Sequence, residues 1–500
     1  MSDSVNTTLR KNALGVGAIV FLVLAAVAPL TGMVVVASLA IALGNGGGTP
    51  FAFFAVAIVL LLFAIGYGKM SSELVNAGGF YAFVVKGLGR PAGLAAGFIA
   101  TLGYNFFVVG TIGTSGFFMW VVIQGETGWV MQGFFSWLFW GLASIFVAWL
   151  MALRGVDFSS KILGVSLVLE TSILVIFDLA VLFKNGYSFS AFSWHSINSG
   201  SLSIGLLLAA TGFLGFEATS LFSEEAKNPL TTVPRATYTA ITLIGVILGV
   251  TTWAVVSAIG VDSAQKVAGE HAASGDLVFS LGDKYIGSFL ADVMQWLLLV
   301  SLFAAMLAFH NSASRYLFSL GRAKILPSVL ATTGRRGSPY VASTVQAGFA
   351  VIVAVIFKLS GADPIATVVP SMLGFGTLAI LVLQALAALA IVVHFRRKND
   401  PRVGTTLIAP GLGFIGLCYA VVMAFKHFDI VAGSTATAVN ALPWLLVVAL
   451  VGGIGYAMYL RSQRSTVYDA LSTDLERFDE TAMVGGSGGT APARPVDETA

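Results

Sequence analysis

Two carboxylates stand where a charge is expensive. Glu170 lies in Leu167-Val168-Leu169-Glu170-Thr171-Ser172-Ile173-Leu174, and Glu217 directly follows Thr211-Gly212-Phe213-Leu214-Gly215-Phe216. A charge in the middle of an apolar helix costs at least ~2.5–3.5 kcal/mol, so an acid kept there marks a proton-linked site or a clamp between helices. For Glu170 the proton-linked role is the expectation. For Glu217, proton carriage, cavity lining and capping of a half-helix N-terminus stand level. Asp178, further along the same run as Glu170, reads as interfacial. Tyr104 and Asn105 place polar groups in another apolar stretch, either facing a cavity or making one interhelical hydrogen bond worth under ~2 kcal/mol. His310 and Arg315 read as anchors of a helix end.

Other chemistry is excluded. The five His are scattered, Cys418 is the single cysteine, and no His-Glu-x-x-His pair occurs, so no metal site, cofactor or internal disulfide is expected. Gly411-Leu412-Gly413-Phe414-Ile415-Gly416 has the spacing of a dinucleotide loop but sits inside an apolar run and reads as helix packing. Gly485-Gly486-Ser487-Gly488-Gly489 mimics a nucleophile elbow without the strand and helix that would strain its serine, and reads as linker. With no catalytic constellation, an enzyme is the least favoured class.

The elements that carry the acids are membrane spans. Of 500 residues 57% are hydrophobic and only 10% charged, against about 25% charged in a soluble domain. Phe21–Ile41, Ile241–Val261 and Ile365–Val393 hold no ionisable group, which is bilayer-spanning length. The pattern predicts an all-α membrane protein of about twelve transmembrane helices, at 13–44, 50–69, 92–122, 133–153, 159–183, 202–226, 236–261, 286–311, 341–359, 365–394, 407–425 and 438–460. Placing residues 1–12 in the cytoplasm leaves only Lys184, Lys266, Lys284, Lys358 and Lys426, of 27 Lys and Arg, on the other side. That asymmetry is the positive-inside pattern and puts both termini in the cytoplasm. Residues 1–12 lack the form of a cleaved signal peptide. Residues 461–500 read as a disordered cytoplasmic tail, with a short surface helix at Thr466–Phe478. The net charge of +3 gives no reason to expect a nucleic-acid partner.

Two spans carry helix breakers in mid-run. The first has Ala28-Pro29-Leu30-Thr31-Gly32-Met33, where Pro29 lacks a donor and clashes with the preceding turn. The sixth has Gly212 and Gly215 just ahead of Glu217. Breaks at corresponding positions suggest a five-helix unit repeated in inverted orientation, 13–183 and 202–394, with two additional helices at 407–460. Unwound backbone is tolerated in a bilayer only where it is buried or lines a cavity. Freed amides attract a carboxylate and freed carbonyls attract an ammonium group, so facing breaks suit an amino acid. The candidate binding set is Ala28, Pro29, Thr31, Gly32, Met33, Tyr104, Asn105, Thr211, Gly212, Phe213, Gly215 and Phe216, with Glu170 and Glu217 for proton coupling.

The motifs around these positions resemble the amino acid–polyamine–organocation (APC) transporter family. They are Gly212-Phe213-Leu214-Gly215-Phe216-Glu217-Ala218, Ser223-Glu224-Glu225-Ala226-Lys227-Asn228-Pro229 and Val233-Pro234-Arg235-Ala236. Asn76-Ala77-Gly78-Gly79-Phe80-Tyr81 with Gly87-Leu88-Gly89-Arg90, and Ala308-Phe309-His310-Asn311 through Arg315-Tyr316-Leu317-Phe318 with Leu326-Pro327, belong to the same likeness. It covers roughly residues 12–400. The resemblance implies the leucine-transporter fold, alternating access, a carboxylate site on the first break and an ammonium site on the sixth-span carbonyls. It matches Glu217 to an acid implicated in proton sensing in the arginine–agmatine exchanger branch. Where members show Gly-Ser-Gly in the first span, this chain has Leu30-Thr31-Gly32. Where several proton-coupled members place a lysine in span five, it has Glu170.

The expected function is a secondary transporter that imports an amino acid across a cell membrane, coupled to protons. Ser301 is the one clear mid-span-eight hydroxyl that a sodium site could use. The alternative carriers are an amine or polyamine transporter, with Glu217 facing the second cation, and an exchanger. A nutrient sensor is the alternative of another class. The expected partners are the small-molecule substrate, the proton and the lipid bilayer.

Overall fold

The computed structural model describes residues 14–471 apart from 75–78, 130–131, 155, 273, 335–336, 435 and 470. Helices are the regular elements of the described residues, joined by turns and short loops, with one isolated β-bridge, Leu14 to Ala226. Among the described residues, nine helices are long and apolar enough to cross a membrane. They are spans 1 (Val16–Leu43), 2 (Gly46–Ser71), 3 (Arg90–Thr127), 7 (Pro229–Ile259), 8 (Ser288–Arg322), 9 (Tyr340–Leu359), 10 (Pro364–Arg397), 11 (Gly404–Lys426) and 12 (Trp444–Gln463). Span 4 is the shorter apolar helix Trp137–Leu153, and span 5 is Val156–Lys184, which carries Asp157 at its start and Glu170 and Asp178 further in. Span 6 is split into Leu202–Thr211 and Ala218–Leu221.

All the expected spans are therefore helical, with shifted ends. Spans 3 and 8 run on past 122 and 311 to Thr127 and Arg322. The last span starts at Trp444 rather than at 438. Pro443 pre-sets the helical φ there, and Thr437–Asn440 forms a separate turn.

Span 1 lies at the centre, packed by spans 5, 7 and 8. Span 3 packs on spans 10 and 8, span 2 on span 7, span 11 on spans 2 and 10, and span 12 on span 3. Of the 411–416 glycines, Gly413 and Gly416 serve this packing, since a Cβ on Gly413 would sit 2.8 Å from the Phe63 amide and one on Gly416 2.6 Å from Val59, whereas Gly411 faces open space. One face of the bundle collects the basic ends. Glu73 there accepts from Lys398 at 2.6 Å and pairs with His394 at 3.0 Å, and Arg90 pairs with Asp469 at 2.7 Å. The first residues after span 12 are thus not a free tail. Residues 465–469 are helical, and Tyr468 lies under the Arg90 guanidinium. The remainder of the expected tail, from 472, the motif residues Asn76, Ala77 and Gly78, and residues 1–13 lie outside the described residues.

Candidate substrate and proton sites

The first span breaks at one residue. Its helix ends at Val27, and Ala28 adopts a left-handed conformation, φ 49°. Pro29 then starts a new helical turn, where its missing N–H costs nothing. The expected break over Ala28–Gly32 thus narrows to Ala28, because Pro29–Thr31 are helical and Gly32–Ala37 continue as a π-helix. A left-handed alanine stores roughly 1–3 kcal/mol of strain. Just beyond it, Thr31 turns both its amide and its hydroxyl to Ser301 Oγ on span 8, at 3.4 and 3.1 Å. Ser301 donates its own proton to Glu170 Oε2 on span 5 at 2.6 Å. One hydroxyl donates once and accepts twice, so Ser301 is fully used. Three distant segments of sequence, at 31, 170 and 301, form one buried relay that ends on a carboxylate.

The sixth-span break is longer. Residues 212–217 are held by short turns such as Phe213 N–H to Ala210 O at 3.1 Å and Leu214 N–H to Thr211 O at 3.2 Å. Gly215 has φ +116°, and a Cβ there would lie 2.8 Å from the Ala26 Cβ. Only glycine lets the two breaks meet this closely. Glu217 closes the turn, with Oε2 accepting the Gly215 N–H at 2.9 Å and Oε1 accepting the Tyr104 hydroxyl at 2.7 Å. The capping alternative for Glu217 is therefore not what is seen. It stands ahead of Ala218–Leu221, but its carboxylate bonds backward to Gly215 and makes no cap bond to that turn. Behind it lies a phenol layer. Tyr104 stacks on Tyr316 with centroids 5.0 Å apart, and the Tyr67 hydroxyl meets Thr219 Oγ1 at 2.7 Å.

Between the breaks is a cavity of about 50 Å³. Thr31, Gly32, Thr211 and Gly212 line it from the two broken spans; Phe107, Thr111 and Thr114 come from span 3, Leu302, Ala305 and Phe309 from span 8, and Leu373 from span 10. A second cavity of about 450 Å³ adjoins it on the face opposite the basic one, and Val35, Val36, Thr211 and Leu373 line both. Among the described residues, no charged side chain lines the inner cavity. Asp363 in the outer one caps the Ile365 and Ala366 amides at 2.9 and 2.8 Å.

The rest of the expected set lies nearby with other partners. Ala28 and Pro29 are buried in the break itself. Met33 turns its sulfur to the Thr252 hydroxyl on span 7 at 3.8 Å. Asn105 donates back to Thr101 O at 2.7 Å in its own helix, and Tyr104 is bound to Glu217. Phe213 faces a lateral apolar cavity between spans 2, 10 and 11, and Phe216 packs on Phe63 with centroids 6.2 Å apart. The sequence reading missed the wall made by Phe107, Thr111, Thr114, Leu302, Ala305 and Phe309. The two threonines on span 3, one turn apart and beyond Tyr104, were the available signal. His310 and Arg315 hold neighbouring elements together. His310 bonds Ser343 at 2.7 Å and Gln346 on span 9, while Arg315 forms a buried pair with Glu225 and lies 4.5 Å over the Phe222 ring.

The sequence pattern of amino acid permeases matches residues 14–455. The chain belongs to the amino acid permease family. Among curated proteins it is similar to the branched-chain amino acid permease BcaP of Bacillus subtilis (strain 168). That match is 24% identical over 429 residues, covering 83% of this chain and 86% of the relative. It is also similar to BcaP of Lactococcus lactis subsp. cremoris (strain MG1363), 24% identical over 397 residues, 74% of this chain and 81% of the relative. This permease is thus a multi-pass membrane transporter of the APC group that acts on amino acids.

Proposed function

We propose that this permease imports an amino acid with an apolar, branched side chain across a cell membrane, in symport with protons, by alternating access. Its basic face would be cytoplasmic. The observation that carries the substrate choice is the wall of the inner cavity, which is threonine, aliphatic and phenylalanine with no charge. A dicationic amine would need a carboxylate there. Glu217 does not line the cavity, and both of its oxygens are taken. The names of the two relatives point the same way. In this reading the substrate sits between Thr31–Gly32 and Thr211–Gly212, with its ammonium group toward the Thr211 and Gly212 carbonyls, and the outer cavity is the way in.

Glu170 carries the coupling proton in this proposal. Its link through Ser301 to Thr31 ties its charge to the first break. Because Ser301 has both lone pairs facing Thr31, it is ill placed to serve a sodium ion. Glu217, the second candidate, is better placed to hold the sixth-span turn in shape.

The test is uptake into liposomes containing the purified protein. Labelled leucine, isoleucine and valine are offered beside arginine and putrescine, with and without an inward proton gradient. Gradient-driven accumulation of the branched amino acids is the expected result. Preference for putrescine would overturn the substrate reading, uptake only into preloaded liposomes would make the protein an exchanger, and binding without uptake would make it a sensor.

A further inference from the structure

The transport reading leaves one intramembrane acid without a role. Asp178 lies beyond Glu170 on span 5, toward the face opposite the basic one. Its Oδ2 accepts the Thr251 hydroxyl of span 7 at 2.8 Å, whereas its Oδ1 is shut away from solvent with no hydrogen-bond partner. Around it the two spans are joined by neutral groups. Asn185 Nδ2 donates to Ser257 O at 2.9 Å, and Trp253 Nε1 donates to Ser188 O at 2.8 Å. Tyr187 donates to the main-chain oxygen of Asp178 at 3.0 Å and leaves the carboxylate untouched. Next to Thr251, Thr252 reaches Met33 Sδ just past the first break, so the acid stands at the end of a contact path from span 5 through span 7 to span 1.

No cation compensates this carboxylate among the described residues. Span 1 carries no ionisable side chain, span 7 carries none from Ile241 to Ile259, and span 4 carries none. Lys184, on span 5 itself, donates to Tyr285 O at 2.7 Å. The remaining charged groups on elements packed against this half of span 5 are Asp283 and Lys284, beside Tyr285 on the helix Leu277–Ile286, and Asp292 on span 8. An anion with one hydrogen bond and a bare second oxygen costs far more to bury than the neutral acid.

We infer that Asp178 is a second proton-binding carboxylate, whose proton holds the far end of span 5 against span 7. Its ionisation draws water to Oδ1 and parts the two spans there. By linkage, a proton bound more tightly in one packing favours that packing, so acid stabilises the closed contact. The role in transport rests on the proton-coupled reading above; the packing switch does not.

The test is hydrogen–deuterium exchange on the full-length protein in lipid nanodiscs across a pH series, without substrate. Exchange in residues 174–188 and 247–260 is corrected for the intrinsic effect of pH. In the wild type it should rise about tenfold from acid to alkaline pH, the signature of ~1.4 kcal/mol of local opening. Asp178→Asn keeps an acceptor for Thr251 and cannot ionise, so its exchange should stay low and flat. Thr251→Val removes the hydrogen bond that favours the anion and should move the transition up by about one pH unit. A flat wild-type profile, a wild-type response in Asp178→Asn, or an unmoved midpoint in Thr251→Val would each overturn the inference. Leucine uptake alongside a flat profile removes the inference and keeps the transport reading. A clear transition in protein that carries no amino acid does the reverse.

Discussion

The two breaks solve one problem with different materials. At the first, a strained Ala28 is followed by side-chain hydroxyls, Thr31 and Ser301, which run to Glu170. At the sixth, a glycine turn is tied to Glu217 by a main-chain amide and a stacked tyrosine. Hydroxyls rotate and can exchange donor for acceptor, whereas an amide N–H only donates and cannot turn. A carboxylate on a hydroxyl relay can gain and lose a proton while its partners adjust. A carboxylate that accepts from a fixed amide has a reason to remain an acceptor. In the mechanism proposed above, the first break would report a charge and the sixth would keep a shape.

The largest expected effect comes from filling the point where the breaks touch. Gly215→Ala adds a left-handed side chain, roughly 1–3 kcal/mol, and a contact at 2.8 Å to Ala26 that costs a similar amount by overpacking. Uptake should fall to background and thermal stability should drop; near-normal affinity would show that the breaks need not meet. Next comes Glu217→Gln. Its amide cannot accept from both Tyr104 and Gly215, so one buried donor is stranded at roughly 1–3 kcal/mol. The rate should fall about tenfold at every pH, that is, by ~1.4 kcal/mol. A selective loss of pH dependence would instead make Glu217 a proton carrier and erase the contrast. Glu170→Gln should do what Glu217→Gln does not. The amide oxygen still accepts from Ser301, so the protein stays folded and substrate counterflow stays within about twofold, while stimulation by an acid exterior disappears. Retained stimulation would remove Glu170 from the coupling.

The smallest effect belongs to an acid outside the membrane. Glu73 is held down to about 2, first by its hydrogen bond to His394 and then by Lys398, against the opposing pull of burial. A depressed carboxyl stabilises the fold above its ordinary value of 4.5, and the benefit is lost as pH falls from there toward about 2. It is partly exposed, so solvent screening leaves well under ~1 kcal/mol. Glu73→Gln should lower the melting temperature slightly at neutral pH, with the gap closing toward pH 2, and should leave proton-stimulated uptake unchanged. An effect on uptake would mean that pH sensing is not confined to the breaks.

The spans and the positions of the breaks were legible in the sequence because hydropathy, Pro29, Gly212 and Gly215 act locally. Thr31 and Thr211, chosen for lying in the breaks, do reach the cavity. What sequence could not show is which polar group finds which partner. Asn105 is satisfied within its own helix, and Tyr104 is claimed by an acid that lies far off in sequence. Ser301, read as a lone hydroxyl for sodium, is joined instead to Glu170. Phe107, Leu302 and Phe309 look like any apolar residue until packing puts a cavity beside them.

The segment entering span 1 leaves its mark at the basic face. Leu14 donates its amide to Glu225 O at 2.9 Å and accepts the Lys227 amide at 2.8 Å, while the Glu225 side chain grips Arg315. Any opening at this end must break two main-chain hydrogen bonds and strip a buried ion pair, and none of the three can yield far without the others. In the alternating-access cycle proposed above, such a joint would part as one unit, which would limit ion leak while the carrier waits for cargo.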